Sequence, residues 1–147
     1  MAEKSAEALE RARRVRLMLF DVDGVLTDGR LWYGPQGEAL KVFHSLDGLG
    51  VKLLQQGGIA AGILSGRSSP AVALRAAELG IVHVLQGIED KLPAFDALLA
   101  RCGFACAPRE AHESVLRGAH YVAGAPAGGG AAREVCDYLL RAHGRPA

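Results

Sequence analysis

The sequence predicts an α/β domain: a Rossmann-like open parallel sheet with helices on both faces and a small β-hairpin. Three observations predict it. Short apolar runs at 15–20, 59–64 and 81–85 have the length of buried strands. Segments with helical spacing and helix punctuation separate them, which implies right-handed crossovers in one sheet. Each run ends in polar residues, as strands do where their carboxyl ends open into ligand-binding loops.

Composition bounds the classes. At 147 residues the length fits one domain, and 50% hydrophobic residues suffice for a core. The formal net charge of +1 gives no pull toward nucleic acid or a membrane surface. No apolar run approaches the roughly 18 residues of a membrane span. The first sixteen residues mix Glu, Lys and Arg without an apolar centre, so no secretory signal is expected. Cys102, Cys106 and Cys136 make an odd set without a second ligand pair. They read as reduced thiols of a cytoplasmic protein.

Each element then has a local reason. Residues 2–13 are Ala- and Glu-rich and predict a short helix or a frayed arm; the domain is placed at 15–147, with 1–14 as an N-terminal arm. Residues 15–20 form the first strand. Residues 30–33 and 39–43 flank a Gly- and Pro-bounded turn and predict the hairpin. Asp47 is expected to cap a helix through Leu49, Leu53 and Leu54, stopped by Gly57 and Gly58. Residues 59–64 are the second strand, ending at Ser65-Gly66-Arg67. Ser69 and Pro70 start the next helix and Gly80 ends it. Residues 81–85 are the third strand, and 92–99 read as helical. Residues 103–107 form a further strand. Residues 124–130 read as a flexible Gly/Ala/Pro connector, and 133–141 as the closing helix with Val135, Leu139 and Leu140 inward.

The polar residues at the strand ends form a candidate site: Asp21 and Asp23, then Ser65 and Arg67, then Lys91. Such a set suits phosphoryl transfer, which needs an in-line nucleophile and positive charge around the equatorial oxygens. Asp21, first after its strand, is assigned as nucleophile, forming an aspartyl-phosphate. Asp23 is assigned as acid, then base. Ser65 can bond a phosphoryl oxygen, and Lys91 can neutralise charge. A Mg²⁺ ion would bridge carboxylate and phosphate. Taken singly, each motif has a plainer reading. Asp-x-Asp-Gly is also a common turn or cation loop, Ser-Gly-Arg a turn, and Lys91 a solvated charge. His44, His83, His112, His120 and His143 are scattered and read as ordinary histidines.

The segment 21–29 resembles the first motif of the haloacid dehalogenase superfamily, Ser65-Gly66-Arg67 its second and Lys91 its third. The segments 37–43, 47–50, 86–87, 90–92, 119–122 and 133–136 narrow the match. From Val15 onward the chain is similar to the 3-deoxy-D-manno-octulosonate 8-phosphate phosphatase family, which serves lipopolysaccharide precursor synthesis. The resemblance implies a magnesium-dependent cytoplasmic homotetramer acting on a small phosphorylated sugar acid. It implies Asp21 and Asp23 as catalytic and metal residues, and Ser65, Gly66, Arg67 and Lys91 as substrate-binding. The hairpin would stand in place of a cap domain, serve assembly and cover a neighbour's site.

One departure is large. The family's fourth motif, a strand ending in Gly-Asp-Asp, has no counterpart here. The helix expected after Lys91 runs directly into residues that resemble the family's stretch beyond that motif, so an internal deletion is placed near Ala100–Arg101. The metal would keep Asp21 and a main-chain carbonyl at Asp23 but lose its other carboxylates. Glu89 and Asp90 are a weak substitute. A smaller departure puts Gly129 where the family's tail has an Arg. Two other readings therefore stand beside the first: a catalytically impaired homologue that only assembles or binds, and a related nonulosonate 9-phosphate phosphatase.

Overall fold

The computed structural model describes residues 2–88 and 103–147. The order is α1 (Ala2–Ala12), β1 (Leu17–Phe20), β2 (Trp32–Gly34), β3 (Gly37–Leu40), α2 (Ser45–Gln56), β4 (Ala60–Leu64), α3 (Pro70–Leu79), β5 (His83–Leu85), β6 (Cys106–Pro108), α4 (Glu113–Gly118), β7 (Tyr121–Ala123) and α5 (Ala131–Ala142). The expected helix at 92–99, the Ala100–Arg101 junction, Glu89, Asp90, Lys91 and Cys102 lie outside the described residues.

The strands β1, β4 and β5 form a parallel sheet in that order, with Phe20 opposite Ile63 and Leu64 opposite Leu85. That register brings the carboxyl ends of all three strands to one edge. The strands β6 and β7 pair in parallel with each other, not with the three-stranded sheet. The hairpin β2–β3 is separate and antiparallel, with a bulge at Trp32/Tyr33. Its turn is tighter than the sequence suggests: Gly34 pairs with Gly37, so Pro35 and Gln36 alone make the loop.

The core joins Phe20, Val22, Ile59 and Ile63 to Val51 and Leu54 of α2, Val72 and Ala76 of α3, and Val135, Cys136, Leu139 and Leu140 of α5. Helices α2 and α5 approach closely at Gly50, where an added Cβ would stand 2.9 Å from the Arg133 Cα. A larger residue there would push the helices apart. The N-terminal segment is a helix that docks. Ala8 and Ala12 are buried in the same core, and His143 bonds the Ala12 carbonyl at 3.0 Å. No described helix is long and apolar enough to cross a membrane.

Two cap expectations change. His44, not Asp47, caps α2: its Nδ1 accepts the Leu46 N–H at 3.2 Å. Asp47 lies in the first turn, 2% exposed, and turns to another helix. Its carboxylate accepts N–H groups from Arg133 at 2.9 Å and Gly130 at 3.4 Å, so it caps α5. Ser69 holds the cap position of α3 without a side-chain cap bond, while Gly80 ends that helix at φ +70° as expected.

The segment 124–130 is not slack. Gly124 and Ala125 give their N–H groups to Glu134 at 3.0 and 2.9 Å, and Gly128 gives its own to the Val25 carbonyl at 3.1 Å. The local sequence, rich in Gly, Ala and Pro, carries no sign of these distant acceptors.

Candidate active site

After β1 the chain makes one wide turn over Val22–Leu26, closed by the Thr27 N–H on the Val22 carbonyl at 3.0 Å. Asp21 stands at its entry, and its Oδ1 accepts the Val22 N–H at 2.8 Å. Asp23 and Gly24 break the helical path inside the turn, Gly24 at φ +79°. The buried Thr27 hydroxyl ties the loop together. It accepts from Gly29 at 3.2 Å and from Gly24 at 3.4 Å.

Ser65 follows β4, next to β1 in the sheet, and is 1% exposed. Its N–H bonds the Leu85 carbonyl at 2.8 Å, and its Oγ accepts the Arg67 N–H at 3.4 Å. Gly66 completes this turn. The first two motifs are thus adjacent, as the strand-end argument requires. Lys91, the third, lies outside the described residues.

The structure adds residues from the hairpin of the same chain. The Lys41 ammonium bonds Asp23 Oδ1 at 2.6 Å and Glu38 Oε2 at 3.1 Å. Arg67 Nε lies 3.3 Å from Glu38 Oε2 and 3.8 Å from Asp23 Oδ2, and its Nη2 bonds the Tyr33 hydroxyl at 2.8 Å. Burial by itself would lower the proton affinity of Lys41, but its hydrogen bonds to Asp23 and Glu38 outweigh it and hold the amine charged. The bond to Tyr33 raises that of Arg67 further. Sequence reasoning missed Lys41 and Glu38 as site residues. The available signals were local: Glu38 in β3 and Lys41 just beyond it are polar positions beside the apolar Ala39, Leu40 and Val42, within the segment 37–43 that narrows the resemblance.

Hard oxygens are the donors available for a cation. Mg²⁺ is commonly held by one or two carboxylates plus phosphate oxygens and water. Asp21, with Asp23, fits by donor type. By number the set is minimal: among the described residues no three His, Cys, Asp or Glu groups converge. A bound phosphate would add oxygens to that shell.

No protein-family profile matches the chain. Individual relatives do. The 3-deoxy-D-manno-octulosonate 8-phosphate phosphatase of Yersinia pestis is 38% identical, over 92% of this chain and 85% of the relative. This chain belongs to that phosphatase family. The crystal structure of the Yersinia pestis enzyme superposes with a TM-score of 0.85, covering 95% of this chain and 88% of that one. The Moraxella catarrhalis phosphatase, solved in complex with a magnesium ion, a phosphate ion and a KDO molecule, is 34% identical with a TM-score of 0.86. It covers 94% of this chain and 92% of that one. The sequence alignment with the Yersinia pestis relative runs over 159 positions, more than the 147 residues here, so it includes positions of the relative with no counterpart in this member.

Proposed function

We propose that this member of the phosphatase family hydrolyses 3-deoxy-D-manno-octulosonate 8-phosphate to the free sugar acid and phosphate, with Mg²⁺, in the cytoplasm. The carrying observation is the placement of Asp21 at the end of β1, beside Ser65 at the end of the neighbouring strand, in a chain whose relatives are phosphatases of that substrate. Asp21 attacks phosphorus, and Asp23 handles the protons of the leaving alcohol and of water. The Ser65 hydroxyl and N–H groups of its turn bind phosphate oxygens, with Gly66 allowing close approach and Arg67 and Lys91 supplying positive charge. Mg²⁺, held by the Asp21 carboxylate and the Asp23 main-chain carbonyl, would neutralise charge between carboxylate and phosphate.

The relatives favour this substrate over a nonulosonate 9-phosphate, and favour catalysis over a purely binding role. The relative's unmatched positions support a shortened chain; the shortening is placed near Ala100–Arg101, within a single domain at 15–147 against which the N-terminal helix packs. Because the metal shell is then short, the enzyme takes Mg²⁺ far more tightly with phosphate present.

Assembly as a homotetramer is part of the proposal. Its support is the exposed apolar surface of the hairpin and the start of α2: Trp32, Tyr33, Leu40, Val42, Leu46 and Leu49. Sedimentation of the purified protein tests it, and a monomer that turns over would remove it.

The central test is phosphate release from the octulosonate 8-phosphate. Release is expected to need Mg²⁺ and to vanish in Asp21→Asn. A folded wild-type protein without activity overturns the proposal.

A further inference from the structure

Lys41 belongs to no motif that assigns it a role. Its side chain is 3% exposed, yet it carries a charge between two carboxylates. A buried ammonium persists only when paired and hydrogen-bonded. Glu38 already has Arg67 at 3.3 Å, so Glu38 does not depend on Lys41 alone. The shorter of the two lysine contacts is to Asp23, at 2.6 Å. It engages Oδ1 and leaves Oδ2, 3.8 Å from Arg67 Nε, turned to another partner. The lysine reaches across from the hairpin, 18 positions along the chain, so the orientation of Asp23 is tied to an element outside its own loop.

We infer that Lys41 is a positioning residue for Asp23, holding Oδ1 so that Oδ2, the more loosely paired oxygen, takes the proton of the water that opens the aspartyl-phosphate at Asp21. The inference rests on the phosphatase function proposed for the site. In the first half-reaction an Asp21 oxygen bonds to phosphorus and the ester P–O bond breaks, the leaving oxygen taking a proton from Asp23 to depart as the alcohol. In the second, the water oxygen bonds to phosphorus and the bond from phosphorus to the Asp21 oxygen breaks, restoring the carboxylate. The water proton passes to Asp23, and inorganic phosphate leaves. With p-nitrophenyl phosphate the leaving phenolate needs no proton, so only the second half-reaction depends on Asp23. Losing Lys41 leaves Asp23 to turn toward Arg67 and slows that half alone.

The experiment is stopped-flow turnover of p-nitrophenyl phosphate, with Mg²⁺, by the wild type and Lys41→Met. The variant is expected to release a burst of about one p-nitrophenolate per folded chain. Its steady rate should then fall roughly tenfold or more below wild type, within the range of lost base catalysis. General structural damage would lower the rate without a burst, and that result overturns the inference while leaving the phosphatase function standing. So does a steady rate equal to wild type. A wild type silent on both this ester and the octulosonate 8-phosphate overturns the phosphatase function, and the inference with it. If Lys41→Met does not fold, Lys41→Gln is judged by the same burst and rate.

Discussion

The Asp47 carboxylate accepts the Arg133 backbone N–H at 2.9 Å across 86 positions of sequence. It is a helix cap supplied by a different helix. Its second oxygen faces the Gly130 N–H at 3.4 Å, so the start of α5 depends on a residue of α2.

Asp47→Ala should therefore destabilise the fold, not α2 alone. Two N–H groups at the start of α5 would lose their acceptor, and the carboxylate is buried. The expected loss is about 1–3 kcal/mol, read as a lower midpoint in urea denaturation. An unchanged midpoint would show that water replaces the cap.

Gly128 joins that region to the catalytic loop. It sits at φ +59°, and an added Cβ would strike the Thr27 backbone, with Thr27 Cα at 2.9 Å, and the Asp28 N–H. Gly128→Ala should shift the loop that carries Asp23. Phosphatase turnover is expected to fall by at least about tenfold, as misplacement of catalytic groups does. Wild-type turnover in this variant would disconnect the glycine turn from the site.

Acid should act through Glu134. Burial by itself would raise its pKa, but N–H groups of Gly124 and Ala125 and the Tyr121 hydroxyl outweigh it and set it below the ordinary 4.5. A depressed carboxylate contributes stability above its unfolded pKa and loses it as pH falls through the folded one. The Glu134 contribution should thus be complete above about pH 4.5 and fade below it. Glu134→Gln should lower the melting temperature at pH 7 and flatten its acid dependence. Parallel curves for the two proteins would exclude this role.

Cys136 should be inert. It is 0% exposed, and burial, with Asp137 and Asp47 nearby, pushes its thiol up to about 12. A thiol is reactive only as thiolate. Peptide mapping after iodoacetamide treatment should find Cys136 unmodified in the native protein and modified in urea. Native labelling would indicate local opening of α5.

The strand ends were readable because apolar runs stop abruptly at Asp21 and at Ser65, and a parallel sheet aligns such stops on one edge. The cap of α2 was misread because Asp47 suits a first turn so well by local rules. The choice between His44 and Asp47 depends on what lies against each, and α5 lies against Asp47. The segment 124–130 looked loose for the same reason: its acceptors, Glu134 and Val25, are recognisable only in three dimensions.

The sequence by itself determined the α/β class, the strand that ends in Asp21 and the neighbouring strand that ends in Ser65. It did so through periodicity and punctuation, which act over a few residues. Tertiary structure alone decided that Lys41 and Glu38 join Asp23 and Arg67, and that Asp47 serves α5. Charges of opposite sign pair by distance through space, and a hydrogen-bond acceptor serves whichever donor the packing leaves unsatisfied beside it.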